Sequence, residues 1–125
     1  MNRLRNEIKE SATTKFRMTD DGAGLIRYRF SPEFTGFSGH FPGYPILPAI
    51  VQVLCGSSAV EEFKGSHLET ITVEKAKFLL EIKPDQEIEV ECRKQSIRDR
   101  QGFNIRLMTE EGLASSFFMT FREKE

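Results

Sequence analysis

Pro48-Ala49-Ile50-Val51-Gln52-Val53-Leu54-Cys55-Gly56-Ser57-Ser58-Ala59-Val60-Glu61-Glu62-Phe63-Lys64-Gly65 is the one long helical segment in a chain of 125 residues. Apolar side chains fall on nearly every side of it: Ile50, Val51, Val53, Leu54, Cys55, Ala59, Val60 and Phe63 leave no continuous polar stripe. The charges gather at the end, in Glu61, Glu62 and Lys64. A helix that is apolar all round has to be enclosed by the rest of its chain. Pro48 suits the first helical position, where its missing N–H would be unpaired in any case, and Gly65 suits the stop. The segment therefore predicts a buried helix over 48–64. Gly56, Ser57 and Ser58 are small enough to let a neighbouring backbone come close.

The residues after this helix supply the enclosure. Ile71 and Val73 share one face of a strand, whereas Ala76, Phe78 and Leu80 fall on the opposite parity, which predicts a bulge near Lys75. Lys83-Pro84-Asp85-Gln86 reads as a turn. From Glu87 to Arg93, Ile88, Val90 and Cys92 point inward while Glu89 and Glu91 point outward onto a solvated face. Phe103, Ile105 and Leu107 repeat the period after a turn over 98–102, and Glu110-Glu111-Gly112 sends the chain back along a strand over 113–122. Upstream, Leu4 and Ile8 stand at i, i+4 and predict a short helix over 3–10. A hairpin follows, with arms over 13–18 and 25–30 joined at Asp20-Asp21-Gly22. One buried helix among antiparallel strands predicts an α+β architecture, a sheet curled round the helix in a single domain over 1–125.

Eighteen Lys and Arg against nineteen Asp and Glu leave a formal net charge of −1, without the basic excess of a general nucleic-acid binder. No apolar run reaches membrane-spanning length and residues 1–9 lack the apolar core of a signal peptide, so no membrane insertion and a cytoplasmic setting are expected. Cys55 and Cys92 are too few and too far apart for a disulfide framework or a zinc site, and each fits as a small hydrophobe. Only His40 and His67 offer an imidazole. His67, in Gly65-Ser66-His67, reads as an exposed loop residue.

His40 sits in a different setting. Residues 31–48 hold four of the five prolines and three of the nine glycines, with Phe34, Phe37 and Phe41 among them. That mixture describes a structured loop rather than a helix or strand. Within it, Gly39-His40-Phe41-Pro42-Gly43-Tyr44-Pro45-Ile46-Leu47-Pro48 runs straight into the buried helix. The segment resembles the β-hydroxyacyl-acyl carrier protein dehydratase family, whose pattern is Gly-His-Phe-Pro-Gly-x-Pro-x-x-Pro-Gly followed by a helix. Lys77-Phe78 and Lys83-Pro84-Asp85-Gln86 look like the family's strand and turn after that helix. The resemblance covers residues 24–122 loosely, and its specific part is the His40 segment.

The resemblance implies a hot-dog fold, an antiparallel sheet wrapped round one long helix, in a homodimer or higher oligomer with sites at the subunit interface. It also implies dehydration of (3R)-hydroxyacyl thioesters carried on acyl carrier protein or coenzyme A, with no metal and no cofactor. Such a reaction needs a base for the proton beside the carbonyl, donors for the thioester oxygen and an acid for the departing hydroxyl. By analogy, His40 is the base and the N–H groups of Gly43 and Ala49 are the donors, Ala49 standing where the family has Gly. Phe37, Phe41, Leu47, Gln52 and Phe78 are the expected acyl-pocket residues. The family acid falls fourteen residues after the histidine, and here that position is Leu54. Glu33 and Glu74 are the carboxylates considered as substitutes. Three other functions fit the same residues: an acyl-thioester binder or a subunit whose acid comes from a partner, a thioesterase on the same fold, and a purely structural domain.

Overall fold

The computed structural model describes residues 2–37 and 43–124. Its elements run α1 (Asn2–Glu10), β1 (Arg17–Met18), β2 (Gly24–Arg29), a 3₁₀ turn (Thr35–Phe37), α2 (Ala49–Lys64), β3 (Leu68–Phe78), β4 (Glu87–Ile97), β5 (Arg100–Thr109) and β6 (Gly112–Glu123). The six strands form one antiparallel sheet in the order β1-β2-β4-β5-β6-β3. The architecture is the α+β arrangement expected, with α2 packed on β2, β3, β4 and β5.

Residues 51, 52 and 54–60 of α2 are buried and Val53 is half-buried, as its lack of a polar stripe requires. The small residues set how closely sheet and helix approach. A Cβ at Gly56 would meet the Phe117 ring at 2.9 Å and Ile105 Cγ2 at 3.2 Å. Gly65 ends the helix in the left-handed conformation, φ 68°, and its N–H donates to Glu61 O at 2.8 Å. The N-terminal boundary lies one residue later than expected. Pro48 is the cap rather than the first helical residue, with φ −64° and ψ 153°.

Ile88, Val90 and Cys92 of β4 face Ile105 and Leu107 of β5 and Phe117 and Met119 of β6 in the core, and all are buried. On the opposite face Glu89 and Arg27 are cross-strand partners, Nε to Oε2 3.2 Å, and Arg93 bonds Asp21 at 2.9 Å. These pairs stand half in water and add little stability; they keep the outer face solvated. A bulge occurs where the parity change predicts it: the β3–β6 register shifts between Glu74 and Lys77, and Lys75 takes φ 54°. A second shift falls between Thr70 and Thr72.

Two further boundaries differ from the sequence expectation. The first hairpin arm shrinks to Arg17–Met18, because Thr13 and Thr14 bond the Arg27 carbonyl and N–H from outside a regular ladder. The turn before β5 is the two-residue pair Arg98-Asp99, both at positive φ, a twist that matches the flanking strands. Gly102 consequently lies within β5 instead of the turn, opposite Gln95. A Cβ there would lie 2.5 Å from the Met119 carbonyl oxygen and 2.5 Å from the Phe118 ring. Backbone cannot swing aside as a side chain does, so Gly102→Ala is expected to destabilise the fold by about 1–3 kcal/mol. Thermal denaturation should show a Tm lowered by several degrees; an unchanged Tm would mean the strands separate freely here.

Ile71, Val73 and Phe78 of β3 are exposed, and among the described residues the strand pairs on one side only, with β6. Ile50, on the first turn of α2, is 61% exposed. Among the described residues no helix is long and apolar enough to cross a membrane.

Candidate functional site

The chain enters α2 through a loop whose geometry its glycine and prolines dictate. Gly43 takes φ 80°, where any side chain would be strained, and among the described residues no atom beyond its chain neighbours lies within 4 Å of a Cβ built there. Backbone conformation, rather than crowding, is the demand for glycine. Leu47 N–H donates to Ile82 O at 2.7 Å, clipping the loop to the segment after β3. The Pro48 carbonyl then accepts from Val51 N (3.1 Å) and Gln52 N (3.2 Å), and no side chain caps the helix. Among the described residues the N–H groups of Ala49 and Ile50 have no acceptor. They stand at the positive end of a 16-residue helix, ready to hold a partly negative oxygen.

A groove of about 440 Å³ opens at this point. Ile46, Leu47, Pro48, Ala49 and Gln52 line it from the loop and helix side, and Phe78, Leu79, Leu80 and Glu81 from the end of β3. The second wall exists because β3 leaves the sheet here: Leu79 N and Leu80 N both turn to Ala114 O, at 2.8 and 3.2 Å. Phe78 stacks on Phe117 with ring centroids 6.4 Å apart and keeps 45% of its surface exposed. The groove has the size and apolar lining of a small-molecule site. A larger one, about 500 Å³, lies over Arg27, Arg29, Asp85, Glu87, Glu89 and Glu110; its charged, water-facing walls offer no apolar chain a home.

Four of the expected site residues thus meet in one groove: Leu47, Ala49, Gln52 and Phe78. His40 and Phe41 lie outside the described residues. Phe37 is buried elsewhere, edge-on to Phe34 at 5.7 Å in a ring cluster that includes Phe30. Leu54 is 7% exposed and belongs to the hydrophobic core.

Among the described residues that line the groove, Gln52 is the one buried polar side chain, with 4% of its surface exposed. Its Nε2 donates to Leu47 O at 3.1 Å. A carbonyl can only accept, so this contact fixes which end of the amide is which. The other end, Oε1, is buried with no partner among the described residues. An acceptor left in that state costs about 1–3 kcal/mol.

Neither carboxylate proposed as a replacement acid lies in the groove. Glu74 is gripped by Arg100 through two bonds, at 2.5 and 2.6 Å, which hold its carboxyl down at about 2. A group ionised so firmly is a poor proton donor near neutrality. Glu33 is exposed on the loop before Thr35. The carboxylate that does line the groove is Glu81, which accepts a hydrogen bond from the Tyr44 hydroxyl. Sequence reasoning missed it, because only the Leu47–Ile82 clip brings residue 81 beside the loop. The thiols offer no alternative chemistry: burial pushes Cys55 up strongly and Cys92 to about 12, so both stay protonated. Among the described residues no three His, Cys, Asp or Glu side chains gather as a metal ligand set.

The sequence model of the ApeI-like family, described as ApeI dehydratase, matches residues 17–116. The 3-hydroxyacyl-[acyl-carrier-protein] dehydratase FabZ of Ligilactobacillus salivarius is 32% identical over 83 residues, which cover 61% of this chain and 59% of that protein. The chain therefore spans about three fifths of the length of that relative. Among solved structures, the dehydratase heterocomplex ApeI:P from Xenorhabdus doucetiae superposes with a TM-score of 0.74 at 16% identity, covering 88% of this chain and 95% of that one. A hypothetical thioesterase from Streptococcus pneumoniae, solved with coenzyme A, gives 0.62 at 10% identity over 100% and 98% of the two chains. At such identities the two structures speak to the fold alone, and that fold is the hot-dog.

Proposed function

The chain belongs to the ApeI-like dehydratase family, and on that premise we propose that it removes water from (3R)-hydroxyacyl thioesters borne by acyl carrier protein or coenzyme A. The observation that carries the proposal is the uncapped start of α2 opening on an apolar groove, directly after the stretch of sequence Gly39–Pro48. His40 takes the proton beside the thioester carbonyl; an imidazole does this near neutral pH because its own pKa lies there. Negative charge develops on the thioester oxygen as that proton leaves. The Ala49 N–H, with that of Gly43, holds it, and the positive end of α2 adds to the effect. Leu47, Gln52 and Phe78 contact the acyl chain. Departure of the 3-hydroxyl as water leaves the 2-enoyl thioester.

The proton for that hydroxyl does not come from α2, where Leu54 occupies the position. One further feature follows: the chain works as a subunit, and a partner chain supplies the acid. Two things favour this. The similar ApeI:P dehydratase is a heterocomplex, and this chain leaves the free side of β3 and Ile50 bare for a neighbour. A homodimer joined at the same surfaces would lack an acid in both sites.

Incubation with a 3-hydroxyacyl thioester, following both the enoyl absorbance and free thiol, tests the proposal. Enoyl product without thiol release is expected. Thiol release from simple acyl thioesters, with no requirement for the hydroxyl, would establish a thioesterase in its place.

A further inference from the structure

The geometry points to Gln52 as the group that recognises the substrate's 3-hydroxyl, through its carbonyl oxygen Oε1. The inference rests on the thioester proposal above and adds to it the contact that separates 3-hydroxyacyl chains from saturated ones. Gln52 is buried, lines the groove, and has its amide oriented by the bond from Nε2 to Leu47 O. What remains is an acceptor with no donor among the described residues.

A ligand that completes this site must bring a donor. The thioester group has none, and neither does a hydrocarbon tail. The only donor on the acyl side of the thioester in a 3-hydroxyacyl substrate is its hydroxyl. The spacing suits it as well. Ala49 and Gln52 are three residues apart on α2, about 4.5 Å along the axis, so they follow one another down the same side. With the thioester oxygen at the Ala49 N–H, the hydroxyl two carbons further along the chain comes level with Gln52. The amide groups of a pantetheine arm lie beyond the sulfur, on the opposite side of the carbonyl, and lead away from it. Donating its proton to Oε1 also turns the hydroxyl's lone pairs toward whatever acid protonates it. Gln52 is thereby a specificity-determining contact, distinct from the base and from the oxyanion donors.

Binding measured by calorimetry tests this without relying on turnover. The probes are (3R)-hydroxyoctanoyl-coenzyme A and octanoyl-coenzyme A, titrated into His40→Ala protein so that neither is consumed. One neutral hydrogen bond predicts that the hydroxyacyl ligand binds about 3–10-fold tighter. In His40→Ala/Gln52→Leu the preference should vanish through weaker hydroxyacyl binding, with octanoyl binding unchanged or tighter because no orphan acceptor remains. A merely structural glutamine would weaken both ligands together, and that result overturns the inference. Equal affinity for the two ligands in the protein with Gln52 intact also overturns it, whether or not the leucine variant folds. If that equality accompanies enoyl formation by the wild-type chain, only the Gln52 assignment fails. If neither thioester binds, the proposed function fails with it.

Discussion

His40→Ala is expected to lower enoyl formation by about 10²–10⁴-fold, the range for losing a positioned general base. The substitution removes the only imidazole in the segment that leads into α2, and the other, at His67, follows the far end of that helix. Among the described residues that line the groove none replaces it. The thiols are buried and protonated, and Glu81, the groove's carboxylate, is engaged by Tyr44. The loss should fall on kcat, because the groove walls and the free N–H groups at Ala49 and Ile50 do not depend on the imidazole. Thioester affinity measured by calorimetry should therefore change little. A variant that lost affinity and rate in equal measure would point to a histidine that shapes the loop instead of moving a proton.

Leu54→Glu is expected to act in the opposite direction, raising the rate of the isolated chain by as much as 10²–10⁴-fold. The new carboxyl would stand at a position only 7% exposed among apolar neighbours. Burial disfavours its charged form and raises its pKa, which keeps it protonated and able to donate near neutral pH. The cost is in stability. An unpartnered neutral carboxyl there destabilises by about 1–3 kcal/mol. With the folded pKa above the unfolded one, the folded state holds its proton longer, so stability falls as pH rises through that interval. Leu54→Gln matches the size and polarity without a proton to give, and should show the stability loss with no gain in rate. Equal activity in the Glu and Gln variants would place the acid elsewhere.

These two residues also mark how far the sequence carries. Apolar coverage on all sides of 48–64 was sufficient to require a surrounding sheet, and the parity change between Val73 and Ala76 located the bulge at Lys75, because burial and pleat impose those patterns locally. The vacancy at Leu54 was legible by counting from His40. Other features depend on contacts between distant segments and leave no local trace. Glu81 reaches the groove only because Leu47 is clipped to Ile82. Phe37 and Phe78 look alike in sequence, yet one is locked among Phe30 and Phe34 and the other stands in the groove. Arg98-Asp99 adopts a turn that glycine would normally announce, and Gly102 serves instead to let β5 lie close to Met119 and Phe118. The orphaned end of Gln52 appears only once its other end is seen to be bound.

The central claim is that this chain holds the base and the oxyanion donors of a dehydratase while its own helix offers no acid. The most direct test is the rate of enoyl thioester formation by the purified wild-type chain alone, set beside His40→Ala and Leu54→Glu in one assay. The account predicts a slow but measurable wild-type rate, a further loss in His40→Ala and a large gain in Leu54→Glu. A wild-type rate that neither substitution changes would contradict it.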